Sequence, residues 1–317
     1  MYGRDNSKMQ MYGGEVKENE TKANGGGVFV STYSALTMAG GKIVNNTAND
    51  GGGVLVYNYC TINFKGGEIC NNVAKNNGGG ILTNINSMLE ISGGEIKENT
   101  ANSYGGGVFL NVSNFKMTGG EISGNTASQY GGGVHVYNAS AFEMTGGVIS
   151  QNEANREGGG AYVYNGSTFK MTGGKISQNA ANYGGGLLVY NNSTFEMTGG
   201  EILNNTARDL GGGVYVATAG LFILTDGEIS GNSAQTNGGG VYVTSISTAY
   251  FTMYGGKICD NDAGSFGGGV YEHTGPFTMF GGEEKAAGAC RRLHFKNIIA
   301  RRATARRALK INLYQRF

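Results

Sequence analysis

Apolar residues along this chain come in short alternating runs that return on a fixed beat. Between Ser167 and Asn192, Phe169 and Met171 alternate with Thr168, Lys170 and Thr172. Ile176 then stands between Lys175 and Ser177, and Leu187 and Val189 follow a glycine triplet. A two-residue period is that of a strand with one buried face. Glycines bound every run; in a helix interior each would cost ~1 kcal/mol, and no 3.6-residue apolar stripe compensates. The pattern predicts three short strands here, joined by glycine and asparagine turns.

The same stretch is written about ten times. A glycine pair starts at Gly13, Gly40, Gly66, Gly93, Gly119, Gly146, Gly173 and Gly199, gives way to Asp226-Gly227, and resumes at Gly255 and Gly281. A glycine triplet keeps the same step of 26 or 27 residues from Gly25 to Gly238 and returns after 29 at Gly267. Such a period marks a solenoid. Stacked coils would place residues one period apart ~4.8 Å from one another, so that columns in the sequence become ladders in space. The fold expected is all-β, a parallel β-helix of about ten coils with three short strands each, over residues 1–282.

The columns sort into inward and outward sets. Phe115, Phe142, Phe169, Phe195, Phe222, Phe251 and Phe277 form one inward file, Met117 to Met279 a second, and Ile43 to Ile258 a third. Each such side chain is worth ~1.5 to 3 kcal/mol when buried. An unbroken asparagine column, Asn19, Asn46, Asn72, Asn99, Asn125, Asn152, Asn179, Asn205, Asn232 and Asn261, fits a corner closed by side-chain amides. The glycosylation pattern N-x-[ST] occurs at Asn45, Asn111, Asn138, Asn165, Asn191, Asn192 and Asn204, where turn-rich Asn and Ser produce it readily.

Outward positions carry the candidate chemistry. Glu90, Lys116, Glu143, Lys170 and Glu196 alternate in sign over five coils, which favours correct register. On the third strand, Phe109, Tyr162, Tyr215, Tyr242 and Tyr271 occupy the second position, and Tyr57, Tyr137, Tyr164 and Tyr190 the fourth. Both positions are expected to face solvent. Stacked tyrosines offer flat apolar faces with hydroxyl handles, suited to sugar rings or a protein partner. The binding residues expected are therefore Tyr57, Tyr137, Tyr164, Tyr190, Tyr162, Tyr215 and Tyr242. His135, also at a second position, reads as a lone surface histidine.

Other chemistry finds little support. A β-helix hydrolase or lyase would gather carboxylates with a cation at one place; the off-pattern residues Asp209, Asp226, Asp260, Asp262, Arg208 and His273 scatter over several coils. No catalytic site, metal site or cofactor is expected. The glycine turns lack the GK[ST] of a phosphate loop and the regular Asp of a calcium repeat. Cys60, Cys70, Cys259 and Cys290 have neither disulfide-framework nor zinc spacing.

Composition and charge refine the boundaries. The 59 glycines come with one proline, which excludes collagen. Residues 1–282 hold 14 Lys and Arg against 21 Asp and Glu; residues 283–317 hold 10 against 2. Cations in the array are spread singly, so it carries no nucleic-acid footprint. Periodicity stops at Glu283, and the basic remainder reads as a helical cap, a disordered basic arm, or a stretch outside the array's frame; the abrupt change favours the last. No signal peptide or transmembrane stretch is legible. Uncapped coils at both ends suggest end-to-end association.

The GG[EK]I units with their column asparagine, and the GGG[VIL] units, resemble the pectin-lyase-like right-handed β-helix group. They are similar to the repeats of bacterial adhesin-like and polymorphic-outer-membrane-protein passengers over about residues 7–282. The resemblance implies a right-handed helix and a non-enzymatic stalk at the cell surface or secreted, meeting glycans or host and cell-surface proteins. It carries no catalytic residue onto this chain. The alternative within the group is a polysaccharide lyase or hydrolase.

Overall fold

The structure, a computed structural model, describes residues 1–244 and 249–282. These residues form a parallel β-solenoid in which every coil lies in register on the next. The Phe-x-Met strands pair in sequence order, as Thr168–Met171 does with Thr194–Leu203, through Phe169 opposite Phe195 and Met171 opposite Met197. The isoleucine strands do the same, with Ile176 opposite Ile202. These two ladders join where four ten-residue strands, Ala35–Val44, Thr61–Cys70, Thr194–Leu203 and Leu221–Ser230, run through the corner between them. The strands after the glycine triplets, among them Val134–Tyr137 and Ala161–Tyr164, build an 11-stranded sheet.

Each coil has a further strand that the alternation does not predict. Two-residue segments such as Thr126–Ala127 and Glu153–Ala154 make a nine-stranded ladder of their own. Its inward residue is alanine throughout, buried from Ala48 to Ala234, because this edge of the coil lies close to the facing glycines. Two residues are too few to display a period; where a ten-residue strand runs through the corner, the coil has the three strands expected.

The core is the stacked interior. Phe115 and Phe142 lie with centroids 4.3 Å apart, as do Phe142 and Phe169, and the rings continue in contact to Phe277. At the isoleucine corner runs the asparagine column. From Asn46 to Asn232 its members are buried. Each Oδ1 accepts from both the backbone N–H and the side-chain amide of the asparagine one coil earlier; for Asn179 both donors belong to Asn152, at 2.9 and 3.0 Å. The remaining amide hydrogen of Asn152 goes to the Ile122 carbonyl at 2.8 Å. The side chain is thus fully satisfied, which is the condition for burying it.

A shorter polar file stands at the corner after the 11-stranded sheet. Backbone N–H groups of Ser113, Ser140 and Ser167 donate to the hydroxyls of Ser140, Ser167 and Ser193. These serines supply the third residue of the sequons at Asn111, Asn138, Asn165 and Asn191, whose own amides bond along the rod. Stacking accounts for both residues of the pattern. The file Glu90 to Glu196 is adjacent in register, yet among the described residues no ion pair closes within it. The cross-coil pairs Lys42–Glu68 (3.0 Å) and Lys175–Glu201 (2.8 Å) lie on the isoleucine ladder instead.

The glycine triplet meets these files at closest range. A Cβ on Gly159 would lie 2.4 Å from the Gly185 carbonyl oxygen, and one on Gly160 would lie 2.9 Å from Nδ2 of Asn179. Residues 283–317, for which a cap, a basic arm or an out-of-frame stretch was weighed, lie outside the described residues. Asn152→Ala should orphan the Asn125 amide donors and the Ile122 carbonyl, and destabilise the array by about 2–5 kcal/mol. Gly159→Ala should cost at least as much, since backbone must move. Chemical denaturation of each variant beside Thr172→Ala, on the exposed side of a corner, checks both; equal midpoints for all three would contradict this account.

Candidate functional site: an aromatic groove along the rod

The second and fourth positions of the 11-stranded sheet do point away from the core, but several of the second positions are covered. Tyr57 is 40% exposed, and Tyr137, Tyr164 and Tyr190 are half-buried. Tyr162 and Tyr242 are only 3% and 6% exposed, and Tyr215 is half-buried, contrary to the solvent-facing placement expected of them. The cause is the residue immediately before each glycine triplet. Tyr104, Tyr130, Glu157 and Tyr183 form a file in parallel bridges and lie back over the second positions. Tyr130 stacks on Tyr162 at 5.1 Å, and Tyr104 on Phe109 at 6.3 Å. A second apolar layer thereby covers the outside of the sheet.

Between this file and the fourth-position file runs a groove of about 690 Å³. Leu55, Leu82, Phe109, His135 and Tyr162 form its floor. Asp50, Asn77, Tyr104, Tyr130 and Glu157 line one wall, and Tyr57, Asn84, Asn111, Tyr137, Tyr164 and Tyr190 the other. It spans six coils, about 25 Å at ~4.8 Å per coil. Tyr137 and Tyr164 are near-parallel, 5.8 Å apart, and Tyr190 follows at 5.3 Å. Sequence reasoning missed the Tyr104 file; an aromatic directly before the triplet, in four repeats, was the signal available.

His135 is the largest correction. It is 3% exposed, with neither ring nitrogen hydrogen-bonded. Tyr162, Phe109, Tyr104 and Tyr137 present ring contacts at 4.9 to 5.8 Å. Burial alone drives its pKa from 6.5 down to about 3, so the imidazole is neutral. Burial also raises the carboxyl of Glu157, an effect that the nearby Tyr162 hydroxyl and Arg156 partly counter.

The off-pattern residues are not brought together. Asp226 lies exposed at the glycine corner, where its carboxylate accepts from Gly227 N–H at 2.8 Å. Asp260 takes a positive φ at the asparagine corner, and Asp262 lies on a two-residue strand. Asp209 accepts from Thr236, Arg208 pairs with Glu153, and His273 packs near Tyr271 at the last coil. Among the described residues no three His, Cys, Asp or Glu side chains gather as a metal site, and no helix is long and apolar enough to cross a membrane.

His135 makes a pH prediction. Below 6.5 the unfolded chain takes up a proton that the folded chain refuses until about pH 3, so stability falls across that window, by about 1.4 kcal/mol per unit. The raised carboxyl of Glu157 works in the opposite direction. His135→Leu, with the residue other coils carry there at Leu55, Leu82 and Leu188, should remove only the histidine contribution. Melting temperatures of the two proteins should diverge from pH 7 to pH 4, with the wild type falling faster; parallel curves would place the imidazole in solvent.

No curated protein and no solved structure matches the chain. The family model described as the right handed beta helix region matches residues 27–199 and 92–258, together most of the array. The register, the stacked core and this match agree, and the chain belongs to the right-handed β-helix family.

Proposed function

We propose that this β-helix is a non-enzymatic, adhesin-like stalk, exposed at a cell surface or secreted, that holds saccharide chains in its aromatic groove. The observation that carries the reading is the groove itself. Half-buried tyrosine faces and asparagine amides follow one another along the rod at the coil step. Apolar sugar faces fit the rings, and sugar hydroxyls fit the amides and phenols. Because the contacts repeat, weak single encounters combine along a polymer. The polysaccharide-cleaving alternative would use a different place, the shallow pocket that Asp226 lines with Glu201, Glu228 and Lys257; the dispersal of the other off-pattern carboxylates favours the non-enzymatic reading.

A glycan array probed with the wild type and with the combined Tyr137→Ala, Tyr164→Ala and Tyr190→Ala variant tests the reading. Loss of the wild-type signals in a variant that melts normally is expected. Equal signals from both proteins would sink it. Incubation with pectins should release neither reducing ends nor unsaturated uronates; release would favour the enzymatic alternative.

A further inference from the structure

Two levels of the groove carry a carboxylate, Asp50 and Glu157; Asp50 accepts from the backbone and side-chain N–H groups of Asn77, each at 3.1 Å, and the Glu157 level is the more aromatic. Glu157 stands in the file between Tyr130 and Tyr183, with the Tyr162 hydroxyl near it. No Lys or Arg lies within ion-pair distance of it among the described residues, although Glu153, four residues earlier, is paired with Arg208. Nor does any Lys or Arg line the groove. On the floor of the adjoining coil is the buried, unpartnered imidazole of His135. This level therefore offers a half-buried carboxylate that closes no ion pair, with Arg156 beside it outside the groove lining, and several aromatic faces. An organic ammonium answers both: its N–H groups donate to the carboxylate, its charge offsets that of Glu157, and it is attracted to the faces of the rings.

We propose that Glu157 and the tyrosines around it form a subsite for the ammonium group of an amino sugar within a saccharide chain. The inference rests on the saccharide reading of the groove and adds the charge of one sugar. A lysine side chain carries the same ammonium, but an extended peptide would need a free sheet edge for its main chain. The floor strands Val134–Tyr137 and Ala161–Tyr164 are paired on both sides within their sheet, so none is offered. Asparagine amides and phenols along the walls suit hydroxyls instead.

The test is calorimetric titration of the whole chain with glucosamine tetramer and with N-acetylglucosamine tetramer, at a pH that keeps the free amine protonated. The wild type should favour the free amine by about tenfold. Glu157→Gln, which preserves shape and removes the charge, should reduce that preference to about twofold or less and leave the acetylated tetramer's affinity unchanged. Glu153→Gln, outside the groove, should keep the preference. Equal affinity of the wild type for both tetramers overturns the subsite and spares the groove; a preference that survives Glu157→Gln does the same, assigning it to the array's general acidity. Failure of both tetramers to bind overturns subsite and groove together. A poly-lysine peptide that binds through Glu157 while the glucosamine tetramer does not would transfer the ammonium to a protein partner and overturn the amino-sugar assignment.

Discussion

The buried asparagine spine is the constraint on which the rest of the molecule depends. An amide inside a β-helix is tolerable only if all its donors and acceptors are used, and here each asparagine spends them on the coil before and the coil after. Satisfaction is therefore a property of the stack and not of a coil. A slip of one residue anywhere would leave two adjacent amides unpaired in the interior, at about 1–3 kcal/mol for each orphaned group. Because the amides all point the same way along the rod, each bond also polarises the next.

That spine dictates the glycines. The third glycine of each triplet passes the asparagine corner so closely that a Cβ would meet the amide nitrogen, as at Gly160 against Asn179. The second passes its own counterpart in the next coil with still less room, as at Gly159 against Gly185. The alanine ladder is the third party to this narrow closure. Asparagine, alanine and glycine triplet are thus one device in three pieces. Its product is an exact register, and exact register turns every outward position into a continuous file. The groove follows without further design: two files of side chains, spaced by the strand between them, must run parallel for as long as the coils repeat.

How far the sequence disclosed this depends on where each side chain gets its surroundings. Inward columns were legible because strand alternation and the repeat both report on them, and Phe169, Met171 and Ile176 are buried as read; Asn179 was read as a corner residue, and its burial is the structure's addition. Fourth-position tyrosines were legible for the same reason. Tyr162, Tyr242 and His135 were misjudged because alternation gives only the direction of a side chain relative to its own strand. What covers it from outside comes from residues such as Tyr130 and Glu157, in a turn where no period operates. The two-residue strands escaped notice since periodicity needs at least two beats to be seen.

Repetition also separates what stability requires from what binding can use. Asparagine, alanine and the triplet glycines recur because the stack fails without them, whereas the residue before the triplet is Asp50, Asn77, Tyr104, Tyr130, Glu157 or Tyr183 in successive coils. That position lies on the rim, contributes little to register, and covers a floor that also varies, from Leu82 through Phe109 and His135 to Tyr162. Variation has concentrated in the two columns that face each other across the groove. A solenoid can hold a polymer along its length with its regular files, and it can discriminate among polymers only where those files are interrupted. His135 and Glu157 interrupt them in adjacent coils, and both are held in states that water would not favour, an imidazole stripped of partners and a carboxyl whose burial raises its pKa. Such costs are borne locally because the coils on either side remain fully satisfied.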